Sequence, residues 1–354
     1  MRRFIDLADF SRDELLALLE LARRLEVSPE PRALAGKVLG LLFLNPSLRT
    51  LASFQSGMAR LGGASFVITP GSGTWQIETR DGVVMDGIAA EHAREGVPVL
   101  ASYCDALGIR SFADGKDLAA DLGEHKFAAL AKLVERPLIN LESAINHPCQ
   151  SLADWKTLDE LGIPRHGKFV LSWAYHPRGL PLAVPASTVH MAAMRGMEVV
   201  VLQPEGFALP PAIIDKASRA AAAGGGSLRA TSDRREALEG AHVVYAKEWA
   251  RTADYGNDAA DALARRSLTH WCLDESWFSQ ARADCRLMHC LPVRRNVAVA
   301  DSLLDGPRSV VLRQAYNRMP AQMAVLYRLL KQTEKPDRHD PASIRSRGDD
   351  SRAA

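Results

Sequence analysis

The chain has 354 residues, 47% of them apolar and 24% charged, with a formal net charge of +2. At roughly 100–200 residues per domain, that length accommodates two domains with sizeable cores, and so small a net charge supplies no broad basic field for nucleic acid. No apolar run reaches the ~18 residues of a membrane span, and Met1-Arg-Arg-Phe-Ile-Asp turns acidic before any signal-like apolar stretch develops.

Ser11 and Glu14 read as a capping box, opening a leucine-rich helix that runs to about Glu26 or Val27. Lys37–Leu44 is a short continuous apolar run, the pattern of a strand buried on both faces of a parallel sheet. Similar runs recur at Ser65–Thr69, Ala106–Arg110, Pro137–Asn140, Lys168–Trp173, Glu198–Leu202, His242–Ala246, Arg286–His289 and Ser309–Leu312. Helical segments lie between most of them, which predicts an α/β fold of two doubly wound parallel-sheet domains. Gly224-Gly225-Gly226 reads as a helix stop. The expected division is residues 1–147, residues 148–316, a last helix over 317–332 that returns to brace the first domain, and a disordered tail over 333–354, where Pro, Asp, Arg, Ser and Gly dominate. Cys104, Cys149, Cys272, Cys285 and Cys290 form no CxxC pair, so reduced cytoplasmic thiols are expected, with no disulfide, metal or other cofactor.

Asn45-Pro46-Ser47-Leu48-Arg49-Thr50 follows the first apolar strand and precedes a stretch of helical spacing. Backbone N–H groups of residues 47–50 would then emerge from a helix N-terminus at the carboxyl edge of a sheet, where phosphate binds. Ser47 and Thr50 add hydroxyls, and Arg49 a planar fork for phosphate and carbonyl oxygens. An ordinary helix cap with a solvated arginine explains a lone S-x-R-T equally well. Here, however, four more clusters stand at strand ends or helix starts: Arg110 in Gly108-Ile109-Arg110; His147-Pro148-Cys149-Gln150 after Asn140-Leu141-Glu142; His289-Cys290-Leu291-Pro292; and Asn317-Arg318, expected to open the last helix.

These motifs resemble those of the aspartate/ornithine carbamoyltransferase family, in order and spacing, from the first helix to about residue 331. His289-Cys290-Leu291-Pro292 is similar to the ornithine side. The Asp-x-x-x-Ser-Met-Gly loop by which ornithine enzymes hold a free α-amino acid is absent, and the corresponding stretch is Tyr245-Ala246-Lys247-Glu248-Trp249. With His176-Pro177-Arg178-Gly-Leu180-Pro181-Leu-Ala-Val184-Pro185, Gly73-Thr74-Trp75 and Val84-Met85-Asp86-Gly87, the chain resembles the N-acylornithine branch, which acts in arginine biosynthesis. That branch's chain is knotted through its proline-rich loop.

The resemblance implies a carbamoyl phosphate site of Ser47, Leu48, Arg49, Thr50, Arg110, His147, Gln150, Cys290, Leu291 and Arg318. Trp75 closes over it from a neighbouring subunit of a homotrimer. Arg49, His147, Cys290 and Arg318 are the catalytic set. Glu142, Lys247, His176, Arg178, Arg294, Leu291 and Ala90 are expected to contact the acylornithine. A glutamate at the position of Ala90 goes with acetylornithine, a proline with succinylornithine. Ala90 is neither, but it offers a succinyl carboxylate no repulsion. Ala298 in place of the lysine of acetyl-specific enzymes, the Glu142-to-His147 spacing and the form of the proline-rich loop also lean to succinylornithine, with acetylornithine the alternative. Leu51 stands where the family usually has a second arginine. A non-catalytic descendant is the other alternative. A nicotinamide-dependent dehydrogenase is disfavoured, because Gly71-Ser72-Gly73 runs into Thr74-Trp75-Gln76 without a third glycine.

Overall fold

The computed structural model describes residues 1–331, so the tail expected at 333–354 lies outside the described residues. The strands are β1 (Arg3–Phe4), β2 (Val38–Phe43), β3 (Ala64–Ile68), β4 (Ile77–Glu78), β5 (Glu91–His92), β6 (Ala106–Arg110), β7 (Leu138–Glu142), β8 (Lys168–Trp173), β9 (Glu198–Leu202), β10 (Ser227–Thr231), β11 (Val243–Lys247) and β12 (Arg286–Met288). The helices are α1 (Arg12–Val27), α2 (Leu48–Arg60), α3 (Ala93–Ser102), α4 (Leu118–Leu122), α5 (His125–Lys132), α6 (Pro148–Glu160), α7 (Ala183–Arg195), α8 (Pro211–Gly224), α9 (Arg234–Leu238), α10 (Asp258–Arg265), α11 (Asp301–Leu304) and α12 (Val311–Leu330). Two five-stranded sheets form, in the orders β1-β7-β6-β2-β3 and β10-β9-β8-β11-β12. Every pairing in them is parallel, the α/β architecture expected from the alternation of apolar runs and helices. No helix among the described residues is long and apolar enough to cross a membrane.

The central strands β6, β7, β8 and β11 are buried at every residue, which explains why they read as unbroken apolar runs. Two strands escaped the sequence reading for the opposite reason. Strand β1 is only two residues long, and β10 is an edge strand, Ser-Leu-Arg-Ala-Thr, with no fully buried position. The two-residue pair β4-β5 also lacks any such run.

Ser309–Leu312 is not a strand. Ser309 makes one isolated bridge to Leu287, and Val311 begins the last helix. Asn317 and Arg318 therefore lie inside that helix, well past its first turn, rather than opening it. A run as short as Val310-Val311-Leu312 suits the start of a helix as well as a strand, and periodicity alone does not separate the two.

Helix α6 is buried from Pro148 to Leu158 on all sides, with little amphipathic asymmetry, as befits a helix enclosed by others. It packs against α1, α7 and α12, and α12 packs in turn on α1 and α2. A Cβ on Gly57 would stand 3.2 Å from Met323 Cγ, so the glycine lets α2 approach α12 closely. One apolar cluster runs through both sheets, from Phe4, Leu41 and Ile139 to Phe169, Val200 and Tyr245.

Candidate active site

The carboxyl ends of both sheets meet at one cleft. In the first sheet Phe43 pairs with Arg110 and Arg110 with Glu142, across a register shift between Ile109 and Arg110. In the second, Lys247 ends β11 beside Trp173, and His289-Cys290 continue from β12. The cleft encloses about 520 Å³. It is lined by Ser47, Leu48, Arg49, Arg110, Glu142, His147, Gln150, Lys247, Cys290, Leu291 and Arg318 among the expected residues. Pro46, Phe112, Leu180, Pro181, Val184 and Pro292 complete the lining and give it apolar walls.

Ser47 caps α2: its Oγ accepts from Thr50 N at 3.3 Å and donates to Thr50 Oγ1 at 2.9 Å. Arg318 Nη2 donates to the same Thr50 hydroxyl at 2.6 Å, tying α12 to the turn. Thr50 is itself fully buried and supports the cleft from behind rather than lining it. With the Thr50 N–H taken by the cap and the Leu51 N–H by Ser47 O, the first-turn N–H groups of Leu48 and Arg49 remain to meet an anion. Leu51 turns away and packs against the apolar core.

Arg110 Nη1 donates to Glu142 Oε2, and its guanidinium lies 4.4 Å from the centre of the Phe112 ring. His147 Nε2 is 3.3 Å from the same carboxylate oxygen, and the His147 backbone N–H donates to Ser187 Oγ at 2.7 Å. Burial, reinforced by the Arg318, Arg110 and Arg49 guanidiniums, holds His147 well below the usual histidine range. The ring is therefore neutral at pH 7 and has one N–H to give. Burial also lowers Arg318, to about 10, which leaves it charged at pH 7. Arg49 Nε, Arg110 Nε, His147 Nδ1, Gln150 Oε1 and Arg318 Nε are buried with no partner inside the protein. Buried polar atoms are rarely left so, and five of them on one cleft mark a place built for a polar ligand.

Two supporting groups carry no motif of their own and escaped the sequence reading. Asp154, one turn beyond Gln150 on α6, is fully buried and accepts from Gln150 Nε2 and Gln314 Nε2, both at 2.8 Å, and from Tyr245 Oη at 3.1 Å. Gln314 Oε1 accepts the His289 backbone N–H at 2.9 Å, so one carboxylate links α6, β11, α12 and the turn after β12. Glu248, also buried, stands 3.2 Å from Lys247 Nζ and 3.5 Å from His289 Nε2. An i+4 acid behind a cleft glutamine was the one available signal for Asp154; Glu248 offered only its place beside Lys247. Cys290 is buried, and burial pushes its thiol up to about 11 even with Lys247 nearby, so it is uncharged at pH 7.

Five expected contacts lie outside this cleft. Trp75 is 59% exposed and donates from its indole to Glu91 Oε2 at 2.6 Å. Ala90 is exposed at the start of the same short pairing. His176, Arg178 and Arg294 form a separate group: Arg294 Nε donates to His176 Nε2 at 2.9 Å, and His176 Nδ1 is 2.8 Å from Arg178 O. Burial lowers His176, so Arg294 faces a neutral ring.

Residues 2–160 match the family described as aspartate/ornithine carbamoyltransferase, carbamoyl-P binding domain, and residues 183–329 match its Asp/Orn binding domain. The chain is 37% identical to an N-acetylornithine carbamoyltransferase of Xanthomonas campestris pv. campestris, covering 94% of this chain and 99% of the relative. It is 36% identical to an N-succinylornithine carbamoyltransferase of Bacteroides fragilis, covering 83% and 88%. A crystal structure of acetylornithine transcarbamylase complexed with acetylcitrulline superposes with a TM-score of 0.89 at 36% identity, covering 93% and 99%. A glutamate-to-alanine mutant of N-acetyl-L-ornithine transcarbamylase, complexed with carbamyl phosphate and N-succinyl-L-norvaline, superposes with a TM-score of 0.88 at 37% identity, covering 93% and 100%.

Proposed function

The chain belongs to the aspartate/ornithine carbamoyltransferase family, on its N-acylornithine branch, and from that premise we propose that it carbamoylates N-succinyl-L-ornithine. The δ-amine attacks the carbonyl carbon of carbamoyl phosphate, giving N-succinyl-L-citrulline and phosphate in arginine biosynthesis. The carbon–nitrogen bond forms as the carbon–oxygen bond to phosphate breaks. The departing phosphate takes the amine's proton, so no protein base is required.

The phosphate sits on the Leu48 and Arg49 N–H groups with the Arg49 and Arg110 guanidiniums. Arg49 and His147 stabilise the charge that develops on the carbamoyl oxygen. Being neutral, His147 does this by hydrogen bonding and not as an acid. Gln150 Oε1 and the Cys290-Leu291 backbone carbonyls accept from the carbamoyl NH₂. Arg318, a donor only, meets the carbamoyl oxygen instead, and the uncharged Cys290 thiol acts as a neighbouring dipole. Glu142 and Lys247 meet the amide and α-carboxylate of the acylornithine.

The observation that carries the succinyl assignment is Ala90. The resemblance puts a glutamate of acetyl-directed relatives at this place, where Ala90 carries no negative charge. N-acetyl-L-ornithine transcarbamylase mutants that replace a glutamate with alanine, proline, serine or valine are each complexed with N-succinyl-L-norvaline. Like charges a few Å apart in a half-dry site disfavour one another, so this chain lacks a barrier to the extra carboxylate. Arg178 and Arg294 are the cations we assign to it. N-acetylornithine is the second reading, supported by the relatives that cover 94% of the chain. Initial rates on ornithine, N-acetylornithine and N-succinylornithine should favour the succinyl substrate in the parent. Ala90→Glu should cut that preference at least tenfold. A parent that prefers the acetyl substrate, or a variant with unaltered preference, refutes the assignment.

We also propose a homotrimer with shared sites. Trp75 lies outside its own chain's cleft, in a segment that also exposes Val84, Met85 and Ile88, side chains available to reach a neighbour's cleft.

A further inference from the structure

Lys247 is expected to bind a carboxylate, yet it is 6% exposed. An ammonium removed from water tends to lose its proton unless a counter-charge is fixed beside it. Glu248 is that counter-charge, 3.2 Å from Lys247 Nζ and itself 3% exposed. Burial is the strongest single influence and acts against the Lys247 charge, but the Glu248 carboxylate, Cys290 and Glu142 together outweigh it and the ammonium is stabilised. The other ionisable groups acting on Lys247 are Glu142 and Cys290, with His289 and His176 also close in charge terms.

The second oxygen of Glu248 faces His289 Nε2 at 3.5 Å. On its other side the His289 ring accepts the Leu291 N–H at Nδ1, at 2.8 Å. A neutral imidazole that accepts at Nδ1 carries its proton on Nε2, so the ring turns an N–H toward Glu248. At 3.5 Å this is a charge–dipole contact and not a hydrogen bond, and neither buried atom has another partner. Leu291 has φ +56°, a left-handed conformation that costs a non-glycine residue energy and persists only where its surroundings hold it. The His289-to-Leu291 hydrogen bond is such a hold, and Cys290 lies within the turn it closes.

We propose that Glu248 is a positioning residue of the reaction, fixing the Lys247 ammonium for the acylornithine carboxylate and, through His289, the Cys290-Leu291 turn that faces the carbamoyl group. This rests on the proposed carbamoyl transfer to an N-acylornithine. One oxygen then serves the acylornithine subsite and the other the orientation of the carbamoyl-facing turn, while the phosphate grip that dominates carbamoyl phosphate binding lies apart, on α2 and Arg110.

The test compares the full-length parent with Glu248→Gln and Glu248→Asp. Calorimetry reads the binding of carbamoyl phosphate, then of N-succinyl-L-norvaline, which lacks the reacting amine, and kinetics give KM and kcat against pH. Glu248→Gln should weaken norvaline binding at least tenfold and leave carbamoyl phosphate binding within threefold. Without the carboxylate Lys247 loses its proton at lower pH, so acylornithine KM should begin its alkaline rise earlier than in the parent. Fixing of the turn should show as a kcat loss of at least tenfold at saturation. Glu248→Asp, which retains the charge, should restore most of the norvaline affinity. An unchanged KM–pH profile or unchanged norvaline affinity overturns the proposal. So does loss of carbamoyl phosphate binding in both variants, which would mark a purely structural residue. A parent that binds carbamoyl phosphate but neither binds the analogue nor carbamoylates any acylornithine refutes the functional reading instead, whatever the variants do.

Discussion

Asp154 is the residue whose chemistry most resists its surroundings. It is fully buried, and burial pushes its carboxyl up to about 6 against the pull of hydrogen bonds from Gln150, Gln314 and Tyr245. Its folded-state pKa lies above the unfolded value, so its favourable contribution is complete below about pH 4 and is lost as pH rises through about 6. Asparagine keeps an oxygen for both glutamine amides and presents an NH₂ to a Tyr245 hydroxyl turned to accept. Asp154→Asn should therefore melt at higher temperature than the parent at pH 8, with a gain of up to about 3 kcal/mol at 1.4 kcal/mol per pH unit. The gain should vanish near pH 4 in thermal denaturation followed by circular dichroism; a pH-independent difference contradicts this account. At this scale the sequence was legible where a motif marks a chemical need, as at Ser47, Arg49, Arg110, His147 and Cys290, all of which line one cleft. It was not legible for Asp154 and Glu248, because a supporting carboxylate has no motif and is defined by what it touches.

Among the elements, buried strands and amphipathic helices announced themselves through periodicity, and the errors fall where periodicity is silent. Strand β10 lies on an edge and mixes polar with apolar residues, while the apolar start of α12 mimics a strand. Helix α12 shows what its placement is worth. Leu326 is fully buried on it, in the helix that packs on α1, α2 and α6. Truncating such a leucine removes transfer energy and leaves a cavity. Leu326→Ala should cost about 2–5 kcal/mol, read as a lower midpoint in urea. A shift equivalent to under about 1 kcal/mol would mean that the neighbouring helices collapse into the space.

For the whole molecule, the proposed shared-site trimer makes a prediction that no single chain can satisfy. Arg49→Ala removes the grip inside a chain's own cleft, and Trp75→Ala removes the side chain offered to a neighbour. Each variant alone should lose at least tenfold in kcat/KM. Mixing the two, with subunit exchange, should form some sites that carry both native residues and recover a measurable fraction of activity. If exchange is verified by mass spectrometry and activity stays at the level of the separate variants, each chain completes its own site.

Helix α6 belongs to neither sheet alone. It is enclosed by helices from both sides, its first residues enter the cleft, and the apolar cluster around it continues into each sheet. In genetic terms the two halves are not exchangeable cassettes. A crossover with a relative at residue 160 would join foreign side chains to α6 across the whole length of α7 and α12. A recombinant that parts α6 from its wrapping helices should therefore lose stability, even though each sheet has the look of a module.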